Sequence, residues 1–536
     1  MLKQNIISFE LRQCLNSCLA IAKKENLALV VDAIQDVLSN LDSPMQLAII
    51  GKISSSKSTI VNAILGNAEV VETGQMETTY NVSWLKYGPS DKDIKVVFKD
   101  GTSKLVERKN WKEWSGQAEN KLKDSVKYIE VTYDHDILQQ VNIIDTPGLD
   151  STLGTDSQNT IDFLKDVRPD AVLMVFTKGL ADKTMKVVRD FQGKHENSLS
   201  ISPLNAIGVL SKIDDFWHID KSSKRAIDIA QSDVIDGNIY HLFSEEVNDT
   251  LYGILPLCAL LSLAAQTITQ DDLDLLHTLS LTDETELAKM FKSVNRFTDN
   301  RDTTDVSAEN RIYLEKKFGR YGVFELLSVI KQGRSDIQFL SQHLKEISGF
   351  NRFNTCLYSH FGERSYLIKT QNANHLISSA CNKQKTITQS TSGRTAIDSV
   401  QSKVLSTLMS IFEYRQLDLL SKIYEKTMDI KDEKAVEEYK RICGEYGNSV
   451  VSRMELPNNY PISNMEQESK NRALIANKKA ALNKMRSPQD AELYKMIALS
   501  YEHLAERIVE MRQKKEDSEE IIKITQNFFY GGEYHG

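Results

Sequence analysis

The run Gly51-Lys52-Ile53-Ser54-Ser55-Ser56-Lys57-Ser58-Thr59 has the residue types that bind phosphate. An apolar stretch, Gln46–Ile50, precedes it, and a helix is expected over Thr59–Leu65. In that strand–loop–helix setting, backbone N–H groups converge on one point, and the helix dipole favours an anion there. Lys57 would reach the β- and γ-phosphates of a nucleotide, and the Ser58 hydroxyl would ligate Mg²⁺. One position departs from the usual GxxxxGK[ST] pattern, because Ser56 stands where the second glycine belongs. If that position needs a positive φ, a side chain there costs on the order of 1 kcal/mol. Taken alone, the run could also be a Ser-rich turn with a chance Lys-Ser.

Two further segments follow apolar runs in the same way. Asp145-Thr146-Pro147-Gly148 comes after Val141–Ile144. In GTPases such a segment sets an Asp near Mg²⁺ through water, and a glycine amide at the γ-phosphate. Ser211-Lys212-Ile213-Asp214 comes after Ala206–Leu210. Asp214 could accept from the N1–H and N2–H₂ edge of guanine, which adenine cannot match, while the Lys212 stem covers the base. The usual motif opens with Asn or Thr, so Ser211 is a second departure. Singly, the first is a tight turn and the second a strand end with a solvated Lys/Asp pair. Together, in this order, the three point to one nucleotide site.

The elements that would carry these loops alternate. Strands are expected at Gln46–Ile50, Tyr80–Tyr87, Ile94–Lys99, Ser103–Glu107, Val126–Thr132, Val141–Ile144, Ala171–Phe176 and Ala206–Leu210, with Asp100-Gly101 as a hairpin signal. Helical stretches between several of them predict an α/β fold, a mainly parallel sheet with helices on both faces. Leu251–Ile268 is apolar enough to suggest a short span, but Pro256 favours a buried strand running into a core helix. Apolar positions at helical spacing precede the first strand, and Ser43-Pro44 ends them. Proline is absent from Leu257 to Leu456, where apolar steps such as Ile397, Val400, Val404, Leu408, Ile411 predict long amphipathic helices. Leu493, Ile497, Leu504, Ile508 and Met511 continue the pattern. Leu456–Glu466 reads as a loop, and Ser487-Pro488 as an N-cap followed by Pro at N1. At 536 residues, two or three structural units are expected.

Net charge is −8, which argues against wholesale nucleic-acid binding. Six cysteines show neither CxxC pairs nor zinc spacing, and Cys14 and Cys18 read as core thiols of one helix. With no signal-peptide layout at the N-terminus, a cytoplasmic, reducing setting is expected, with peripheral membrane association if a membrane is met. Lys470–Arg486 holds six basic residues and no acidic one, with Leu474, Ile475, Leu482 and Met485 along it. It is either the solvated basic face of a bundle helix or a surface for anionic membrane.

These residues resemble the bacterial dynamin-like proteins. GKISSSKSTIVNAILG is similar to their phosphate loop, and Glu77-Thr78-Thr79-Tyr80-Asn81-Val82 with Trp84-Leu85-Lys86-Tyr87-Gly88 resembles their switch segment and following strand. The VVFKDGTSKLV hairpin, IIDTPGLDS and Asp170–Asp182 are also family-like. Ile254–Ala259 sits where the family has its last base-contacting strand, with Cys258 in place of a Ser. FGRYGVFELLSVI (318–330) and residues 348–369 resemble the end of that head in actinobacterial members. The likeness covers about 46–369 and is only architectural beyond.

The resemblance implies a GTPase that turns GTP into GDP and phosphate with Mg²⁺. Its head would bind nucleotide weakly and be stimulated when two heads dimerise. Ser54 would help position the attacking water, and Thr79, with Thr78 next, would bind Mg²⁺ and orient water. Ser58, Thr79 and Asp145 would then surround the metal. Gly51, Lys52, Ser54, Ser55, Ser56, Lys57, Ser58, Thr59, Asp145, Gly148, Ser211, Lys212, Asp214 and Cys258 would hold the nucleotide. The expected layout is N-terminal helices over 1–44, the G domain over 45–369 with a helical segment near 260–345, and a helical stalk over 370–536 with a tip near 454–487. Self-association and membrane remodelling or tethering are the expected function. A GTP-dependent switch or scaffold of little turnover, working through protein partners, is the alternative. An ATP-driven protein is a third, and Asp214 argues against it.

Overall fold

Among the described residues, nine strands form one mixed sheet in the order β4-β3-β5-β2-β6-β1-β7-β8-β9. They are β1 (Met45–Gly51), β2 (Ser83–Tyr87), β3 (Ile94–Phe98), β4 (Ser103–Val106), β5 (Val126–Tyr133), β6 (Val141–Asp145), β7 (Ala171–Phe176), β8 (Ala206–Ser211) and β9 (Gly253–Leu257). This computed structural model describes residues 2–52, 54–68, 70–71, 81–110, 114, 125–148, 167, 169–177, 203–217, 225–235, 251–300, 303–362, 364–446, 449–457 and 459–530.

From β6 through β1, β7 and β8 to β9, every neighbour is parallel. Parallel strands covered on both faces read as continuous apolar runs, and β6, β7 and β8 are buried at every position. The sheet is mainly parallel as expected, and the antiparallel pairs gather at the other end. There β2 pairs antiparallel to β6 and parallel to β5, and β3 pairs antiparallel to β5 and β4. The reason is local at one pair. Gly101, at φ +86°, turns the chain between β3 and β4, and so short a connection can only return an antiparallel strand. The apolar run at 251–268 is β9 followed by the helix Ala259–Thr267. No helix among the described residues is long and apolar enough to cross a membrane.

After β9, helices Gln270–Ser280, Glu284–Met290, Val294–Thr298, Ala308–Lys331 and Ile337–Ile347 pack around Phe291, Phe297, Leu314 and Phe318. The buried Arg311 guanidinium is satisfied by Val306 O (3.1 Å), Phe297 O (2.9 Å) and Asp299 O (2.8 Å), so its charge is solvated by carbonyl dipoles. Ala308–Lys331 is not one continuous helix. It breaks at Gly319, with φ 63° and ψ 165°, a region essentially open only to glycine.

The chain divides into two compact units, Met1–Thr407 and Leu408–Gly536. In the first, the helices Leu2–Lys24 and Ala28–Asn40 belong with Ser365–Ile387, where Leu29 N donates to Gln384 Oε1 at 3.0 Å. Lys369 of that helix donates to Asn40 O, Ser43 O and, at 3.0 Å, Ser43 Oγ. Asp170 accepts from Gln46 N at 2.9 Å, and its carbonyl accepts from Asn372 Nδ2 at 3.1 Å. The start of β1 is thereby tied to the helix by buried polar contacts. In the second unit, Ile462–Asn483 and Pro488–Tyr530 form an antiparallel helical hairpin, with Ser469 Oγ donating to Tyr501 O at 2.7 Å. Ile462–Asn483 begins inside the expected 456–466 loop, directly after Pro461, whose fixed φ suits a helix entry. Leu493, Ile497, Leu504 and Ile508 are buried along Pro488–Tyr530, whereas Met511 is exposed.

Candidate nucleotide site

Five parallel strands end on the same side of the sheet, where ligands of such folds collect. Gly51 ends β1, Asp145 ends β6, Phe176 ends β7, Ser211 ends β8 and Leu257 ends β9. The phosphate loop leaves β1 at Gly51 and enters the helix Lys57–Leu65. Gly51 must be glycine on packing grounds: a Cβ there would lie 2.3 Å from Val175 O on β7. Lys57 is buried, and its Nζ donates to Gly51 O (3.2 Å) and Lys52 O (2.8 Å), folding the loop around the ammonium. Ser55 is buried and its hydroxyl has no hydrogen-bond partner. Thr59 lies in the first turn of the helix.

Ser56 does hold a left-handed backbone, at φ 69° and ψ 21°, and Ser54 a second one at φ 59°. Each costs on the order of 1 kcal/mol that a glycine would not. Ser56→Gly is therefore expected to leave GTP binding equal or to tighten it by at most about tenfold. Calorimetry is the check, and weaker binding would give the Ser56 hydroxyl a role of its own.

Ser58 and Asp145 meet as the sequence implied. Ser58 Oγ donates to Asp145 Oδ2 at 2.8 Å. Burial pushes the Asp145 carboxyl up to about 6, while Lys57 and the Ser58 hydrogen bond pull the other way. The other carboxylate oxygen, Oδ1, is buried without a hydrogen-bond partner. A hydroxyl and a carboxylate oxygen side by side, one of them unsatisfied, are the hard donors Mg²⁺ takes, so these residues fit the metal. Beyond Asp145, Thr146 Oγ1 donates to Ile49 O at 2.8 Å and ties this end of β6 to β1, two residues before Gly148. Thr79, expected as the third metal residue, and Thr78 lie outside the described residues.

At the end of β8, Ser211 Oγ donates to Phe176 O at 3.1 Å, so this smaller residue still cross-links the two strand ends. Lys212 takes φ 56° and turns the chain into the short helix Ile213–Phe216 that carries Asp214. Cys258 Sγ donates to Asp214 Oδ1 at 3.3 Å, and Cys258 N donates to Ser348 O at 2.8 Å. Burial raises the Asp214 carboxyl above its usual range, against the thiol's hydrogen bond. Burial, then the Asp214 charge, raises the Cys258 thiol, which stays protonated as donor.

Three features were missed from sequence. Gly319 packs beside the Asp214 carboxylate: a Cβ there would sit 3.9 Å from Asp214 Oδ2 and 3.6 Å from Leu260. Glu315, one turn earlier, is raised by burial and then by the Asp214 charge. Asn62, inside the helix after the loop, bonds Ala68 O, Val71 O and Val71 N, each at 2.9 Å, and so fixes the chain entering the 72–80 segment. An Asn in a helix interior is a mild signal of such a role. Gly319 gave none, because helical periodicity runs through it.

The Dynamin family model matches residues 47–213, from β1 to the turn after β8. The isoniazid-induced protein IniC of Mycobacterium tuberculosis is 26% identical over 439 residues, covering 78% of this chain and 81% of that protein. Dynamin-like protein 2 of Campylobacter jejuni is 28% identical over 134 residues, 25% of this chain and 21% of its own. Among solved structures, one from an oligomerised bacterial dynamin pair, reported to sense and tether membranes, is 13% identical. It covers 92% of this chain and 89% of its own with a TM-score of 0.31, too loose a likeness to bear on arrangement or activity. The phosphate loop and the Ser58–Asp145 pair thus sit inside the matched segment, and residues 47–213 form a dynamin-family GTPase domain in a chain related to bacterial dynamin-like proteins.

Proposed function

We propose that this chain binds GTP with Mg²⁺ and hydrolyses it to GDP and phosphate, and that pairing of two heads stimulates the reaction. The contact of Ser58 Oγ with Asp145 Oδ2 beside the buried Lys57 carries the reading. Ser58, Asp145 and Thr79 would hold the metal, which when bound neutralises phosphate charge. Lys57 would move from its two carbonyls to the β- and γ-phosphates. Amides of the loop and the first helical turn would bind the same oxygens. Ser54, exposed at the loop tip, would position the attacking water together with Thr79. Asp214 would read the guanine edge, with Lys212 over the base. The sequence offers no residue as an intrinsic arginine finger, so a second head is the expected source of stimulation. The test is turnover per molecule as protein concentration rises, with and without liposomes. Tight GTP binding with turnover flat and near zero at every concentration would favour the switch or scaffold instead.

The same reading puts the second unit at an anionic membrane surface, in line with self-association and tethering. At the end of its helical hairpin, Leu474, Ile475, Leu482 and Met485 are 56%, 53%, 74% and 93% exposed among the six basic residues of 470–486. An apolar stripe flanked by lysines suits anionic headgroups at about 1 kcal/mol per basic residue. Changing Lys478, Lys479 and Lys484 together to Glu is expected to cut co-sedimentation with anionic liposomes by well over tenfold. The loss should fade at high salt, with GTP binding unchanged. A parent chain that does not sediment with anionic liposomes would make this segment a solvated helix face.

A further inference from the structure

Cys14 and Cys18 lie one turn apart on Leu2–Lys24, the spacing that puts two side chains on one face. Their environments differ: Cys18 is buried and Cys14 is partly exposed, and neither is in a disulfide. Helix Thr391–Ser410 crosses this face. Cys14 Sγ lies 3.6 Å from Lys403 O, to which the thiol donates, and Lys403 Nζ is 3.5 Å from Ser17 Oγ. The Thr407 hydroxyl of that helix also reaches Cys14. From Ser365–Ile387, the buried Cys381 faces Cys18, with Asp398 next to Cys381. A partly exposed sulfur thus stands one turn from a buried one, with an ammonium and a hydroxyl around it.

We propose that Cys14 is a modification site: its thiolate reacts with hydroperoxides, and Cys18 is the thiol that resolves the product to a disulfide. Hydrogen bonding from Cys18 lowers the Cys14 thiol below its ordinary range, burial works against it, and Thr407 and Lys403 lower it further. Cys18 is pushed up by the same pairing and by burial, so it keeps its proton and serves as donor. In the first step the Cys14 thiolate attacks one peroxide oxygen and the O–O bond breaks. This gives the sulfenic acid and, when hydrogen peroxide is the oxidant, hydroxide, which becomes water by taking up the proton the Cys14 thiol had released to solvent. In the second, the Cys18 sulfur attacks Cys14 sulfur as its proton leaves. The S–O bond breaks, and the released hydroxide takes up that proton as water. Two thiols have then lost two electrons to one peroxide. Closing the bond draws the Cβ atoms from about 5–6 Å, the separation of i,i+4 neighbours, to about 3.8 Å, so the turn holding Leu15 must loosen.

The test uses the full chain and iodoacetamide, with each cysteine followed by peptide mass. Cys14 should alkylate with a pH midpoint below the ordinary thiol range, and at neutral pH about tenfold faster than Cys356, the other partly exposed thiol. Lys403→Gln should move that midpoint up. After hydrogen peroxide, the tryptic peptide Gln13–Lys23 should lose the mass of two hydrogens, restored by dithiothreitol. In Cys18→Ser the same treatment should instead leave a sulfenic acid at Cys14 that dimedone captures. GTP binding in each sample reports folding. Alkylation of Cys14 at the rate of Cys356 with an ordinary thiol midpoint would overturn the proposal. So would a Gln13–Lys23 peptide unchanged by peroxide.

Discussion

Lys57→Ala is expected to reduce GTP binding by at least about a hundredfold and to leave no measurable turnover. The ammonium is buried and held by Gly51 O and Lys52 O at 3.2 and 2.8 Å, which presents a full positive charge inside the loop. Charge-assisted hydrogen bonds to phosphate are roughly twice as strong as neutral ones, and several kcal/mol of binding go with the side chain. Alanine also leaves those two carbonyls without their donor, so the loop loses order before nucleotide arrives. Fluorescent-nucleotide titration and phosphate release on the purified, folded variant are the measurements. Hydrolysis at the parent rate would end the assignment of 51–59 as the phosphate loop.

Asp214→Asn is expected to reverse base preference. A carboxylate accepts from both N1–H and N2–H₂ of guanine, whereas an amide accepts one hydrogen bond and donates the other. Xanthine keeps N1–H and has a carbonyl at position 2, so it suits the amide. A buried mismatched pair costs about 1–3 kcal/mol, or roughly tenfold to a hundredfold. GTP should lose and xanthosine triphosphate should gain by that factor, in competition binding with ATP as control. Unchanged guanine selectivity would mean that the base is read elsewhere. The thiol of Cys258 sits on one of the two oxygens, at 3.3 Å. As a weak donor it yields to the base more readily than the usual serine hydroxyl would.

The site was legible in the sequence wherever local chemistry and local backbone coincide. An apolar run, a glycine and a Lys-Ser pair are contiguous, so Gln46–Leu65 could be read as strand, loop and helix without its neighbours. Ser58 opens the helix after β1 and Asp145 ends β6, the strand beside β1, and there the two meet. Partner choice was not legible. Nothing within Ser83–Tyr87 says that it lies between β5 and β6, parallel to one and antiparallel to the other, because register is set by distant strands. Gly319 was hidden for a similar reason. Leu314, Phe318, Tyr321 and Val323 keep their buried positions across the break, and a lone glycine in a helical pattern signals only a modest propensity cost.

The polar ties at the start of β1 set how a load on this protein would travel. Lys369 grips the chain at Asn40 and Ser43, and Asp170 grips it again at Gln46. Five residues later, with no compliant loop between, the same strand ends at Gly51 under Val175 O. That strand spans roughly 23 Å at about 3.3 Å per residue and is clamped by a parallel neighbour on each side. Tension on the N-terminal helices or on Ser365–Ile387 therefore reaches the phosphate loop along a stiff rod, and a shift of the loop pulls back on those helices along the same line.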